Sequence, residues 1–471
     1  MFFKQIFEEK LAQYAYLIGC QQFGEAIIID PMRDIARYEN LAKKHRLKII
    51  AVAETHIHAD YLSGVREFAE KGVKVYVSDE GDADWKYKYI IDSTYQYQLL
   101  KDGDEFSIGN IKFNTIHSPG HTPEHIIFLV TDGATTNEPM GVLSGDFVFV
   151  GDVGRPDLLE TAAGKVGDME VSAKEMYRSI QKFKSLPAYL QLWPGHGAGS
   201  ACGKALGAVP KSTVGYEQQF NFSITSATTE KKFIDYILDG QPEPPLYFSR
   251  MKKENKIGPK VLGRIPRPEK IDISAIIELV ESSNSIIVDT RNRIQFMQGH
   301  LKGSILATWN KTFNTIVGSY VNVDQHIYLI IDEDLVEEAV LDLIRIGLDN
   351  TKGFIIPQDL KSIDHELVHT NTIDFRQVDE MLPTGGYTLL DVRKETEFNE
   401  GHAQEAINIA HTRLLDRIGE VPLEKPVIVH CKSGARASAA CSLLELHGFE
   451  IHYVDDMVEP WIEKQKTPQK I

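Results

Sequence analysis

At 471 residues the chain is too long for one hydrophobic core, and roughly two to four domains are expected. Hydrophobic residues at 42% and charged residues at 25% are ordinary for a globular protein, while a formal net charge of −16 argues against nucleic acid or an anionic membrane as partner. No apolar run approaches the roughly 20 residues that span a bilayer, Glu8, Glu9 and Lys10 interrupt any signal-peptide core, and only four cysteines occur, which together predict a cytoplasmic chain without a disulfide framework.

In chain order, residues 26–30 (AIIID) and 47–54 (LKIIAVAE) read as buried strands, 62–70 as a helix, and 140–144 as a strand running into Gly145-Asp146. Polar loops follow several of these strands, where α/β proteins place their sites. A helical stretch at 230–240 is followed by Pro242, Glu243, Pro244 and Pro245, then by Gly258-Pro259 and Ile265-Pro266-Arg267-Pro268, which reads as a linker.

Beyond the linker lies an internal repeat. Asp289, Arg291, Phe296, Gly299 and His300 recur as Asp391, Arg393, Phe398, Gly401 and His402, all at one offset of 102 residues. Each copy adds a second apolar strand, at 327–331 and 427–429, and a following helix. Two small α/β domains with parallel sheets are expected.

Histidines cluster in the first 200 residues. Thr55-His56-Ile57-His58-Ala59-Asp60-Tyr61 follows a strand, and two histidines at i and i+2 on a tight loop can turn both rings toward one point. His117-Ser118-Pro119-Gly120-His121-Thr122-Pro123, Ser144-Gly145-Asp146 and Pro194-Gly195-His196 come later. Imidazoles and carboxylates gathered by four strand-end loops suit zinc or ferrous iron.

This ordered set resembles the metallo-β-lactamase superfamily over about residues 1–260, with its HxHxDH loop, later GHT-type histidine, bridging aspartate and last histidine. The resemblance implies an αββα sandwich. One position departs from it: Tyr61 stands where the loop has its final histidine, and a phenol of pKa about 10 is a poor ligand beside imidazole. The second metal position, built from Asp60, residue 61 and His196, is therefore weakened.

A single-metal site is similar to that of the persulfide dioxygenase branch, which implies one Fe(II) per chain on His56, His121 and Asp146, with zinc an alternative in purified material. His58 is then either a fourth ligand or, the preferred reading, a supporting hydrogen-bond donor, and Asp60 either bonds a ligand imidazole or caps the next helix. Gly154-Arg155-Pro156-Asp157 resembles the branch's Gly-Arg-x-Asp element, in which Arg155 pairs with Asp157 or binds a substrate carboxylate. Residues 197–204 (GAGSACGK) resemble a segment of persulfide dioxygenase–rhodanese fusions, where Cys202 either carries sulfur or packs inertly.

Near the C-terminus an apolar strand, 427–430 (VIVH), runs into Cys431-Lys432-Ser433-Gly434-Ala435-Arg436. A cysteine between a strand and a helix N-terminus feels backbone N–H groups and the helix dipole, and Lys432 and Arg436 add positive charge that favours a thiolate. Ser433, Gly434 and Ala435 are small enough to let the loop wrap a persulfide sulfur. Residue 437 is alanine, so the C-x5-R spacing of cysteine phosphatases is not met. The loop resembles that of rhodanese domains, over residues 372–471. The first copy, 268–362, also resembles rhodanese but lacks cysteine and reads Asp332-Glu333-Asp334 at its loop, so a degenerate scaffold is expected there.

Taken whole, the chain resembles a persulfide dioxygenase–rhodanese fusion: a metallo-β-lactamase sandwich at 1–262, a degenerate rhodanese at 268–362 and an active one at 372–471. The resemblance implies oxidation of a small thiol persulfide by O2 to sulfite, then sulfur transfer from Cys431, assisted by Arg436, to sulfite to give thiosulfate. A thioester hydrolase of the glyoxalase II type is the alternative and needs a metal pair. A sulfur carrier or sensor without turnover is a third reading, and a homo-oligomer is left open.

Overall fold

Alternation along the strands sets the layers of the N-terminal half. In this computed structural model, which describes residues 1–158, 168–204, 206–207, 209, 211–241, 243–280 and 284–466, six strands pair in sequence order: β1 (Phe2–Glu8), β2 (Gln13–Cys20), β3 (Glu25–Ile29), β4 (Lys48–Ala53), β5 (Lys74–Ser78) and β6 (Tyr97–Leu100). A second sheet runs through β7 (Glu105–Ile108), β8 (Ile111–His117), β9 (Ile126–Asp132), β10 (Gly141–Gly145), β11 (Gln191–Pro194) and β12 (Ser212–Thr213).

Successive strand residues point to opposite faces. Ile27 and Ile29 therefore pack between the sheets with Phe113 and Phe128. Ala26 and Ile28 join a different cluster with Tyr38 and Phe68 of the helices Ala36–Lys44 and Val65–Glu70. On the other side, Ile127, Val142 and Leu192 meet Met176, Ile180 and Phe183 of the helix Asp168–Phe183 and Phe233 of the helix Glu230–Leu238. Helix, sheet, sheet, helix is the αββα sandwich that the resemblance implied.

Two elements differ from the sequence reading. The helix expected from residue 62 begins at Val65, because Ser63 N–H bonds Asn255 Oδ1 at 2.9 Å and Gly64 N–H bonds the Pro31 carbonyl at 2.7 Å. The stretch read as linker contains the helix Phe248–Ile257. Pro244 and Pro245 precede that helix rather than interrupt it, and Pro242 lies outside the described residues. Asn255 on this helix donates to the carbonyls of His58 and Tyr61 at 2.8 and 2.7 Å, so it holds the histidine loop from behind.

The chain divides into two compact units, Met1–Arg264 with Ile344–Gly347, and Ile265–Leu343 with Leu348–Ile471. The second holds two five-stranded sheets. One orders β13 (Glu269–Lys270), β17 (Thr351–Ile355), β16 (His326–Ile330), β14 (Ser285–Asp289) and β15 (Ser304–Leu306). The other orders β18 (Asn371–Ile373), β22 (Ile451–Val454), β21 (Val427–His430), β19 (Thr388–Asp391) and β20 (Ile407–Asn408). Every pairing in both is parallel, and the two orders are the same.

The recurring residues build one staple twice. Arg291 donates to both oxygens of Asp289 and to the Gly299 carbonyl, as Arg393 does to Asp391 and the Gly401 carbonyl. The His300 ring stacks on Phe296 at 3.9 Å and His402 on Phe398 at 3.7 Å. Both aspartates are fully buried, so losing either arginine would strand a charge at a cost of about 3–5 kcal/mol. Among the described residues no helix is long and apolar enough to cross a membrane.

Candidate metal centre and sulfur loop

The loops after β4, β8 and β10 bring His56, His121 and Asp146 together. Nε2 of His56 and Nε2 of His121 lie 3.8 and 3.6 Å from Oδ2 of Asp146, with all three side chains buried. Their ring orientations are set from behind. The Thr55 hydroxyl donates to Asp30 Oδ2 at 2.9 Å, which leaves its oxygen to accept from His56 Nδ1 at 3.0 Å. His121 Nδ1 faces the Arg155 carbonyl at 3.1 Å, and a carbonyl only accepts. Both rings thus carry their proton on Nδ1 and turn the Nε2 lone pair toward Asp146.

Burial, then the neighbouring imidazoles, hold His56 well below the usual histidine range, and burial lowers His121 as well. Asp146 Oδ2 is buried and has no hydrogen-bond partner among the described residues. Two neutral imidazole lone pairs and an unpartnered carboxylate oxygen, all within 4.8 Å of one another, fit a divalent cation at bond lengths of about 2.0–2.2 Å after small shifts.

Asp60 and His196 belong to a different arrangement. His196 Nδ1 lies 2.8 Å from Asp146 Oδ1, and its Nε2 lies 2.8 Å from Asp60 Oδ2. Burial opposes a charge here, but the two carboxylates outweigh it and raise His196 well above the ordinary range. In return, Asp146 is driven far down against its own burial, chiefly by His196. An imidazolium bonded at both nitrogens has no lone pair to offer. Asp60 does not cap the helix Val65–Glu70, which follows Gly64 without a side-chain cap.

His58 sits outside the triad, with Nε2 3.2 Å from Asp30 Oδ1. Burial alone would lower it, but the charge and hydrogen bond of Asp30 raise it to about 9. The Tyr61 ring lies tilted against His58 with centroids 4.5 Å apart, and its hydroxyl donates to the Asp30 carbonyl and accepts from Gln13 Nε2, each at 3.2 Å. Arg155 is buried and bonds Asp157 twice, Nε at 2.9 Å and Nη2 at 2.6 Å. Cys202 is buried near Asp60 and His196, with potential ligand atoms of the three within 4.8 Å of one another. Burial and then the charges of Asp60 and Asp146 push its thiol well up.

Three residues of this site were not singled out by the motifs. Asp30 adopts a left-handed φ of 51° and accepts from Thr55 N–H at 2.8 Å as well as from its hydroxyl. His125 Nε2 accepts Asp146 N–H at 3.1 Å, while its Nδ1 lies 2.8 Å from Ser118 Oγ. Glu124 accepts Ile57 N–H at 2.7 Å, and burial pushes its carboxyl up to about 7. The signals were present: an aspartate closing the apolar run at 26–30, and a histidine four places after His121.

In the second unit, Cys431 follows β21 and is 2% exposed. The loop turns at Gly434, whose φ is +88°, into the helix Ala435–Leu446, so Ser433, Gly434 and Ala435 bridge the cysteine and the helix. Asp391 pairs in register with His430, and Asp289 with Ile330, so Ile331 occupies the position of Cys431 in the first copy. Lys432 is paired with Glu459 at 2.9 Å, and Arg436 forms a two-pronged pair with Glu397. Both cations are thus balanced by carboxylates rather than standing alone beside the sulfur. Cys441 is fully buried in the helix.

The metallo-beta-lactamase superfamily pattern matches residues 9–196, and the rhodanese-like domain pattern matches residues 374–464. A crystal structure described as metallo-beta-lactamase from Staphylococcus aureus subsp. aureus COL is 43% identical, with 76% of this chain and 99% of that chain covered and a TM-score of 0.68. Persulfide dioxygenase ETHE1, mitochondrial, of Bos taurus is 28% identical over 199 residues, 41% of this chain and 67% of the relative. The probable polyketide biosynthesis zinc-dependent hydrolase BaeB of Bacillus velezensis is 25% identical over 212 residues, 45% of this chain and 84% of the relative. The chain belongs to the metallo-β-lactamase superfamily, in a fusion that carries a rhodanese-like domain behind the αββα sandwich.

Proposed function

We infer that the chain oxidises a small thiol persulfide with O2 to sulfite at a single Fe(II) and transfers sulfur through Cys431 to give thiosulfate. One observation carries this reading: Asp146 turns Oδ2 toward His56 and His121 while Oδ1 is bonded to His196. His56, His121 and Asp146 would hold one ion and leave open positions beside it. An Fe(II) held by these residues would supply open coordination positions for a persulfide sulfur and O2. The likeness to a persulfide dioxygenase supports the assignment.

The residues around the triad hold its protonation state. Asp30 and Thr55 keep the proton of His56 on Nδ1, and the Arg155 carbonyl does the same for His121. His196 keeps Asp146 ionised. The balance is RSSH + O2 + H2O giving RSH, sulfite and two protons. At the second site a persulfide on Cys431 would give its outer sulfur to sulfite, leaving the thiolate and thiosulfate. Sulfite made by one site is the acceptor at the other, which gives the fusion a chemical rationale.

Hydrolysis of a thioester is the second reading, favoured by the likeness to a zinc-dependent hydrolase. A paired metal site would require His196 to give up the proton that Asp60 and Asp146 hold on it. Anaerobic iron loading followed by oxygen uptake on several persulfides, run beside a thioester hydrolysis assay, separates the two. Oxygen uptake with sulfite formation is expected. Thioester turnover without oxygen uptake would overturn the dioxygenase reading.

A further inference from the structure

The helix Ala435–Leu446, which begins at the Cys431 loop, is held along its length by the copy that has no cysteine. At its far end His300 Nε2 stands 3.3 Å from Glu445 Oε2. In its middle the N–H of Leu306, on β15, donates to Ser442 Oγ at 2.8 Å. At the end nearest Cys431 the link passes through Arg293. Its Nε donates to Tyr453 OH and to Asp455 Oδ1, each at 3.1 Å, and its Nη2 lies 3.1 Å from the same Asp455 oxygen. Tyr453 in turn donates to Asp455 Oδ1 at 3.0 Å.

That Tyr453–Asp455 pair is the surface on which Gly434 rests. A Cβ on Gly434 would collide with Asp455 Oδ1 and with the Tyr453 hydroxyl, so the loop backbone lies directly against them. Gly434 is also the left-handed residue that turns the chain from the cysteine into the helix. The first N–H groups of a helix have no partner within it, and their direction depends on where that turn sits. A shift of the Asp455 carboxylate moves the turn, and with it the free N–H groups at the start of the helix that follows Cys431.

We propose that Arg293, supplied by the cysteine-less copy, is a positioning residue for sulfur transfer at Cys431. It acts by fixing Asp455 and Tyr453 as the backstop of Gly434. This gives the degenerate copy a function in a reaction it cannot perform, and it rests on the reading of Cys431 as the transfer cysteine. Arg293 itself does not touch the reacting atoms.

The test uses the full chain with thiosulfate as sulfur donor and cyanide as acceptor. Cys431→Ser should reduce transfer to background. Arg293→Ala should lower kcat by about tenfold with less than a twofold change in KM for thiosulfate, because misplaced donors weaken the transition state more than binding. Arg293→Lys, which keeps a cation for Asp455, should recover most of that loss. Arg293→Ala combined with Asp455→Ala should be no slower than the worse single variant. Parental kcat in Arg293→Ala, or additive losses in the double variant, would overturn the proposal.

Should Cys431→Ser retain transfer, the reading of Cys431 is wrong, and a second measurement judges Arg293 by itself. Amide hydrogen exchange across residues 431–438 should speed up by about tenfold in Arg293→Ala and stay parental in Arg293→Lys. Equal exchange in Arg293→Ala and the parent would show that Arg293 does not hold the loop.

Discussion

Asp60 Oδ2 lies 2.8 Å from Nε2 of His196, and the other nitrogen of that ring lies the same distance from Asp146. A proton shared along this line stands where a second metal would need a lone pair. One iron per chain is therefore expected by elemental analysis. His121→Ala and Asp146→Ala should each lose nearly all of it, since each removes one of the three ligands proposed for the ion. His196→Ala should keep most of the iron but lose activity by about tenfold, the usual consequence of removing a group that orients a ligand. Equal loss of iron in His196→Ala and His121→Ala would show His196 to be a ligand.

Gly195 offers a sharper probe of the same carboxylate. A Cβ at this position would stand 2.5 Å from Asp146 Oδ1, too close for either atom to stay in place. Gly195→Ala should push Asp146 away from His196 and disturb the oxygen that faces His56 and His121. Iron content should fall severalfold, with a stability loss of about 1–3 kcal/mol typical of an added methyl in a packed interior. Full iron content in a folded Gly195→Ala would mean that Asp146 does not need its present orientation.

The His58–Asp30 contact predicts a pH dependence of the iron-free protein. His58 is raised from 6.5 to about 9, so its contribution is complete below pH 6.5 and is lost as pH rises through about 9. A shift of this size corresponds to about 3 kcal/mol. The unfolding midpoint in denaturant should decline across that window, and Asp30→Asn should flatten the decline. A parent profile that is level between pH 6.5 and 9, or rises, would contradict the pairing.

The gathering of histidines and an aspartate could be read from the sequence because they stand in short polar motifs after apolar strands, and the resemblance to the persulfide dioxygenase branch picked His56, His121 and Asp146 from that set. Their supports could not be read in the same way. Arg155 holds His121 through a backbone carbonyl, which no residue letter records. Asp30 reaches His58 and Thr55 across the sheet from β3 to β4, a register that only pairing reveals. The prolines at 244 and 245 obscured the helix Phe248–Ile257, whose Asn255 holds the histidine loop. The repeat was visible, but its five residues bond and stack with one another within each copy rather than supply the chemistry of the loop. The element that distinguishes the two copies, Cys431 against Ile331, falls outside the repeated positions.

Cys431→Ser tests whether the two sites are coupled in one chain. Serine keeps nearly the size of cysteine, while its hydroxyl is neither ionised near pH 7 nor able to carry a persulfide. The substitution leaves His56, His121 and Asp146 untouched, so oxygen uptake with a persulfide should persist. Sulfite should accumulate where the parent makes mainly thiosulfate. Sulfite also takes up sulfur without an enzyme, so short times and low persulfide are needed, with that background subtracted. Asp332→Asn, in the loop that carries Ile331 instead of a cysteine, should leave the product ratio unchanged. Thiosulfate formed by Cys431→Ser at the parental rate would remove the C-terminal loop from the reaction. It would then shift attention to Cys202, whose buried thiol lies near Asp60 and His196 beside the metal centre.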